Sequence, residues 1–117
     1  MTSEPRAILD AQALLAQAGE HHLLGSLTST DLNVNLLAFT GNGGIEEHVN
    51  DEVDVLIVAL AGVGVLTIDG ERVALSPGQL TIVPKGASRS IRSNGERFSW
   101  LTCHGQRRGI MPKVRRA

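Results

Sequence analysis

The amino-acid sequence predicts an all-β protein, an antiparallel β-barrel of the jelly-roll type preceded by one short α-helix. Its 117 residues suffice for one compact domain. The chain has 13 glycines and only 3% aromatic residues, which favours strands joined by tight turns around an aliphatic core. After residue 22, short apolar runs recur at regular spacing. Closing them into a barrel removes exposed strand edges, so a barrel is the expected arrangement.

The N-terminal segment, residues 1–22, contains the predicted helix. Apolar residues recur at a helical period between Ile8 and Gly19, and glycine is a typical residue after the last helical turn. The expected helix therefore covers residues 8–19, with one apolar face formed by Ile8, Ala11, Leu14, Leu15 and Ala18.

The barrel domain is predicted to span residues 23–104. Asp69-Gly70, between two apolar runs, is the strongest hairpin signal in the chain. Pro77-Gly78, Pro84 and Asn94-Gly95 mark further turns. The expected strands number eight and cover residues 23–29, 32–40, 54–62, 64–68, 71–76, 79–83, 88–93 and 97–104.

The C-terminal tail, residues 105–117, is basic. It contains five lysines and arginines and no acid. A basic tail can bind nucleic acid or another anion. This one has no aromatic residue and no clear helical period, which favours a solvated terminus and makes nucleic acid an unlikely partner.

Other properties are those of an ordinary soluble protein. The net charge is −1, and no apolar stretch reaches the length of a membrane span, so no membrane association is expected. The N-terminus lacks the pattern of a secretory signal. The single cysteine, Cys103, excludes an internal disulfide and is typical of a reducing compartment, so a cytoplasmic location is expected.

The second half of the barrel domain carries a motif of glycines and prolines. Gly78, Pro84 and Gly86 have the spacing of the second cupin motif, and the chain resembles a small single-domain cupin. At the positions where that motif has histidine and asparagine, this sequence has Arg89 and Ser93. The resemblance extends over about residues 32–104 and implies the cupin jelly roll.

The first cupin motif is matched less closely. Gly41 lies one residue too far from His48, and Gly62 closes the motif one residue late. His48 is present, Asn50 replaces the second histidine, and Asp54 is at the glutamate position. By strand alternation, His48, Asn50 and Asp54 are expected on one face if no bulge intervenes.

Metal-binding cupins hold iron, manganese, nickel, copper or zinc with three histidines and one glutamate, as the resemblance implies. Here Asn50 is a weak ligand, and Arg89 cannot coordinate because it stays protonated. No cofactor is therefore expected, and the candidate ligand-binding residues are His48, Asn50, Asp54 and Arg89. A divalent transition metal, if bound, would use His48, Asp54 and His104.

Arg89 has three possible placements. Ile91 is apolar and shares its face in an alternating strand, which favours an inward side chain. Inside the barrel, the guanidinium can form a salt bridge with Asp54 or bind the carboxylate or phosphate of a small ligand. The alternative is a solvent-facing side chain. His48 is either a hydrogen-bonded interior or rim residue or part of a pocket, and His104 either reaches the barrel mouth or ends its strand in solvent.

Three functions follow as hypotheses. The first is a metal-free barrel that binds a small, anionic molecule in a sensory or accessory role. The second is a metal-dependent enzyme of the isomerase or dioxygenase type with a reduced ligand set. The third is a ligand-free module that dimerises. Similar proteins often form homodimers through N-terminal strands, and the apolar segment 23–39 is expected to do so here.

Overall fold

The computed structural model describes residues 7–17 and 22–106. The predicted C-terminal tail therefore lies almost entirely outside the described residues. No helix within the described part of the chain is long and apolar enough to cross a membrane. The elements are α1 (Ala11–Ala16), β1 (Leu23–Thr28), β2 (Leu32–Gly41), β3 (Gly44–Val49), β4 (Val55–Ala61), β5 (Gly64–Ile68), β6 (Glu71–Leu75), β7 (Leu80–Val83), β8 (Ser88–Ser93) and β9 (Gly95–Gly105).

The predicted helix exists but begins later than expected. Asp10 has an extended backbone, and its side chain accepts a hydrogen bond from the amide of Ala13 at 3.0 Å. This is an N-cap, so the helix starts at Ala11 and Ile8 lies before it. Gln17 is extended after the last turn. The predicted end at Gly19 lies outside the described residues.

Two contacts hold the helix on the barrel. A Cβ added to Gly25 on β1 would lie 2.9 Å from the Cδ1 atoms of Leu9 and Leu14, so the helix segment packs directly on this glycine. Arg97 on β9 donates from Nη1 to the carbonyl of Leu15 at 2.8 Å. The guanidinium thereby satisfies a carbonyl that the end of a helix leaves without a partner.

The strands form two antiparallel sheets, as the sequence predicts for a jelly roll. The five-stranded sheet has the order β1-β2-β9-β4-β7, and the four-stranded sheet has the order β3-β8-β5-β6. Val55 and Trp100 from the first sheet share one hydrophobic core with Leu66 and Ile91 from the second. The inner faces of the two sheets therefore pack against each other and enclose the barrel interior.

The predicted hairpin at Asp69-Gly70 is confirmed. Strands β5 and β6 pair in continuous register on either side of these two residues, up to Ile68 opposite Glu71. Asp69 has φ 48° and Gly70 has φ 85°. Positive φ at both central residues is what a two-residue turn of type I′ requires, and Asp-Gly adopts it at low cost.

Strand β3 was not among the eight expected strands. Its pairing with β8 runs from Ile45 opposite Ile91 to His48 opposite Arg89, so three steps on β3 match two on β8. The extra residue is a β-bulge. The bulge puts Ile45 and His48 on the same inner face although they are three residues apart, and it breaks the alternation that would have revealed a strand.

The register of β2 and β9 pairs interior residues of like polarity. Asn33 pairs with His104 and Asn35 pairs with Thr102, whereas Leu37 pairs with Trp100 and Phe39 with Phe98. Strand β4 does not follow this match, since the apolar Val55 and Ile57 lie opposite His104 and Thr102. The antiparallel register thus gathers polar side chains at one end of the barrel and aromatic side chains at the other.

Candidate functional site

A cavity of about 250 Å³ occupies the polar end of the barrel. Both sheets contribute to its wall, which explains how residues distant in sequence meet there. Its polar lining comes from Asn33, Asn35, His48, Arg89, Ser90, Thr102 and His104, and its apolar lining comes from Leu37, Ile45, Val55, Ile57, Leu66, Val83, Ile91 and Trp100.

Arg89 is the charged residue of this cavity. It lies on β8, where the residues at 89, 91 and 93 are buried and Arg92 is exposed. Its side chain is 6% exposed, which excludes the solvent-facing placement considered from the sequence. Nη1 donates to the carbonyl of Ala87 at 3.4 Å. A guanidinium with five N–H donors and a permanent positive charge is therefore held at the inner wall.

His48 lies at the rim of the cavity, directly across from Arg89. Its Nδ1 is 2.9 Å from the carbonyl oxygen of Glu46. Because a carbonyl only accepts, Nδ1 must carry the proton and donate. Arg89 Nε donates to Nε2 of the same ring at 3.3 Å. Both ring nitrogens are thus engaged in the neutral Nδ1–H tautomer, and the lone pair of Nε2 points at Arg89.

His104 belongs to the cavity and not to a solvent-facing strand end. It is 8% exposed, and its Nδ1 lies 2.8 Å from the carbonyl oxygen of Gly105, to which it donates. Thr102, two residues before His104 on β9, also lines the cavity. Asn35 accepts a hydrogen bond from the hydroxyl of Ser26 at 2.8 Å through Oδ1. These groups form a polar wall beside Arg89.

Arg89 supplies a permanent positive charge to the described lining of the cavity. The described residues that line the cavity include one arginine and no aspartate, glutamate or lysine. A permanent cation in a partly enclosed, largely apolar space attracts an anion more strongly than it would in open water, because the local dielectric is lower.

Asp54 does not line the cavity. Its side chain is exposed, and Oδ1 accepts a hydrogen bond from the amide of Lys85 at 2.8 Å. The alternation expected from His48 through Asp54 fails because residues 50–54 form a loop between β3 and β4. In β4 it is Val55 and Ile57 that point inward, so Asp54 belongs to the opposite parity and is not brought to Arg89.

Asn50 is buried, and its side chain stabilises the loop after β3 instead of lining the cavity. Its Oδ1 accepts hydrogen bonds from the amides of Glu52 at 2.9 Å and Val53 at 3.3 Å, and its carbonyl accepts from the amide of Gly86 at 2.7 Å. These bonds form an Asx turn that fixes the loop after β3. Within the described part of the chain its Nδ2 has no hydrogen-bond partner. Asn50 is not among the cavity-lining residues.

The residues present do not fit the metal centre that the resemblance implies. The Nε2 lone pair of His48 is used by Arg89, and Asp54 lies outside the cavity. Among the described residues, no three His, Cys, Asp or Glu side chains are grouped so that they could hold a metal ion. The set of His48, Asp54 and His104 is therefore not brought together.

Sequence reasoning missed two residues of the polar wall, Asn33 and Asn35. Their signal was present in the alternation of "LNVNLL", where two polar side chains share one face of an otherwise apolar strand. Two inward asparagines are costly to bury without partners, so such a pattern indicates a polar cavity.

Comparison with known proteins agrees with this fold. A model of the cupin domain matches residues 35–104. A cupin superfamily protein from Desulfitobacterium hafniense DCB-2 has 25% sequence identity and a TM-score of 0.67, over 85% of this chain and 91% of that chain. No curated protein sequence matches the chain.

Two more distant structures have the same fold. KdgF from Halomonas sp. is 18% identical with a TM-score of 0.67, over 74% of this chain and 80% of that chain. A cupin-2 domain containing protein from Shewanella frigidimarina is 13% identical with a TM-score of 0.69, over 85% of this chain and 95% of that chain. Because the domain match covers more than half of the sequence, the chain belongs to the cupin family.

Proposed function

We propose that this cupin domain binds a small organic anion in the barrel cavity without a metal, in a sensory or accessory role. The observation that carries the proposal is the buried guanidinium of Arg89 in a cavity whose described lining contains no acidic side chain. A planar guanidinium matches the two oxygens of a carboxylate, which makes a carboxylate the preferred anionic group.

The rest of the lining indicates the body of the ligand. Trp100, Ile57 and Leu37 line the cavity beyond the polar wall, so an apolar portion of the ligand finds contacts there. The cavity volume of about 250 Å³ limits the ligand to a compact molecule. The ligand class proposed is therefore a compact carboxylate with a short aliphatic or aromatic body.

The test compares a carboxylate with its neutral amide. Benzoate and benzamide have similar shapes but differ in charge, and binding is measured by calorimetry and by chemical-shift changes of Ile57 and Thr102. We expect benzoate to bind at least tenfold more tightly than benzamide. Arg89→Gln is expected to remove that difference, because it removes the charge while keeping a hydrogen-bonding side chain.

Arg92→Gln is the matched control. Arg92 is on the same strand, but its side chain is exposed on the outer face, so its removal changes net charge equally without changing the cavity. Equal binding of benzoate and benzamide, or unchanged benzoate binding in Arg89→Gln, would contradict the proposal. A wider panel of aliphatic carboxylates covers the case in which the benzene ring does not fit.

Metal content tests the enzymatic alternative. The protein is purified without a histidine tag and its iron, manganese and zinc are quantified, for the native chain and for His48→Ala. Under the proposal, metal is substoichiometric in both. A stoichiometric metal that is lost in His48→Ala would show that the hydrogen bond from Arg89 to His48 gives way to coordination, and the metal-free proposal would be wrong.

We also propose that two copies associate through the N-terminal strands. Segment 23–39 forms β1 and most of β2, and β1 is one edge of the five-stranded sheet. Leu23 is 55% exposed at this edge. Light scattering after size exclusion is expected to give a dimer that Leu23→Lys weakens. Leu80, 62% exposed on the opposite edge strand, is the matched control. A monomeric native chain, or a dimer disrupted only by Leu80→Lys, would contradict this interface.

A further inference from the structure

The outer face of the four-stranded sheet carries a second polar depression, separate from the barrel cavity. Its volume is about 430 Å³, and it lies over the middle strand β5 between β8 and β6. The side chains that shape it include two arginines, Arg72 and Arg92, and the hydroxyls of Thr67 and Ser90. Of these four residues, Ser90 on β8 also lines the barrel cavity, and the other three do not.

The strand register brings the two arginines to one face. Thr67 on β5 is opposite Arg72 on β6 and opposite Ser90 on β8, and Val65 is opposite Arg92. Because alternate residues of a strand share a face, Thr67, Arg72, Ser90 and Arg92 all point outward. The two arginine Cα atoms are then about 12 Å apart, two strands across and two residues along. Arginine side chains are long enough to reach a common point over β5 from that separation, and Arg92 would do so by leaving its contact with the carbonyl of Asn42, which lies in the turn before β3 on the other side of β8.

The described side chains that line this depression carry a net positive charge. Its described lining contains two arginines and no acidic side chain. Arg92 donates from Nη1 to the carbonyl of Asn42 at 3.0 Å, which orients the guanidinium and leaves its charge in place. Glu47 and Asp69, which approach the same strand, are both hydrogen-bonded to Ser88, through its hydroxyl and its amide respectively.

We propose that this face binds a phosphate group between Arg72 and Arg92. Two guanidinium forks and two hydroxyl groups are complementary to the several acceptor oxygens and double negative charge of a phosphate. A monocarboxylate satisfies only one of the two arginines, so this face and the barrel cavity select different anions. The inference is independent of the proposed function, because it rests on Arg72 and Arg92, which are exposed and do not line the barrel cavity.

The test is a titration of ¹⁵N-labelled protein with inorganic phosphate and with pyrophosphate at constant ionic strength. We expect saturable shifts of the Thr67 and Ser90 amides. Arg72→Gln and Arg92→Gln are each expected to weaken binding at least fivefold, and the double variant to abolish it. All three variants are expected to fold because both arginines are exposed.

Two controls separate this site from general charge effects and from the cavity. Lys85→Gln removes an exposed cation that lines neither depression, and Arg89→Gln removes the cation of the cavity. Both are expected to bind phosphate as the native chain does. Absence of saturable shifts, equal weakening in Lys85→Gln, or loss of the phosphate response in Arg89→Gln would each overturn the proposal.

Glycerol phosphate distinguishes the source of the phosphate group. Tighter binding than inorganic phosphate would support a site for the phosphate ester of a small molecule, and equal binding would support a site for the free ion. Failure of this titration has no consequence for benzoate binding at Arg89, so the two proposals are tested separately.

Discussion

The two ends of the barrel interior are built from the same strands and have opposite properties. At the aromatic end, which we call the closed end, Phe98 and Trp100 stack with ring centroids 5.0 Å apart, and Phe39 stacks on Trp100 at 5.5 Å. At the polar end, which we call the open end, Arg89, His48 and His104 line a cavity of about 250 Å³. One end therefore supplies packing energy, and the other contains a cavity with a buried arginine in its wall.

This difference shows that one strand register can place both core-packing residues and cavity-lining residues on the same strands. In β9 the inward row changes from Phe98 and Trp100 to Thr102 and His104, and β2 follows the same change in the opposite direction. A slip of one residue would turn every one of these side chains to the other face. The comparison predicts that substitutions at the closed end mainly change stability and that substitutions at the open end mainly change binding, with Trp100, which also lines the cavity, contributing to both.

The largest effect is expected for Trp100→Ala. Trp100 is 1% exposed, and the substitution removes the largest fully buried side chain among the described residues. The free energy of unfolding should fall by about 3–5 kcal/mol. Urea denaturation measures the loss, with Trp100→Phe as the control that keeps an aromatic ring. A loss below about 1 kcal/mol would show that the closed end does not carry the stability.

A smaller loss is expected for Gly64→Ala. A Cβ at this position would lie 2.2 Å from Cε2 of Phe98, so the ring or the strand must shift. Overpacking of this kind costs about 1–3 kcal/mol. Gly105→Ala is the matched control, because its Cβ would meet only ordinary contacts at 3.7 and 3.9 Å. Similar thermal stability of the two variants would contradict the close packing at the closed end.

Arg89→Met should separate binding from stability. The variant loses the hydrogen bonds to His48 and to the carbonyl of Ala87 but retains an apolar stem of similar length, so we expect a change in unfolding free energy below about 1.5 kcal/mol. Benzoate binding should be lost in calorimetry of the same sample. A variant that unfolds at room temperature would indicate that Arg89 is a structural ion and not a ligand-binding residue.

The smallest effect is expected for Thr102→Val. The substitution keeps the shape of the side chain and removes one hydroxyl from the polar wall. Affinity for benzoate should decrease by about two- to tenfold, in line with one hydrogen bond of about 0.5–1.5 kcal/mol. Denaturation should show little change. Thr81→Val on β7 is the control, because Thr81 is absent from the cavity lining. An equal effect of both variants would place Thr102 outside the binding site.

Much of the fold could be predicted because it depends on local signals. The turn at Asp69-Gly70 and the strands on either side of it follow from turn chemistry and alternation. Strand β3 was missed because its bulge interrupts the alternation of inward and outward side chains. The helix was predicted, but its N-cap at Asp10 shortens it.

The candidate site was predicted in part. His48 and Arg89 were identified, and the structure pairs them across β3 and β8. Asn50 and Asp54 have the spacing of ligands but lie in or beside the loop that follows β3, where their oxygens bind backbone amides. Asn33 and Asn35 were missed, since they are distant in sequence from both motifs and meet the cavity only through the pairing of β2 with β9.

The sequence by itself determined the all-β character, the turns and the presence of an arginine at the histidine position of the second cupin motif, because residue type and local spacing decide these features. Only the tertiary structure decided which of the candidate side chains share a space. That outcome depends on strand register and on one bulge, which act over distances of up to about 70 residues and leave no periodic trace in the chain. The inward direction of Arg89 and the outward direction of Asp54 are consequences of that register.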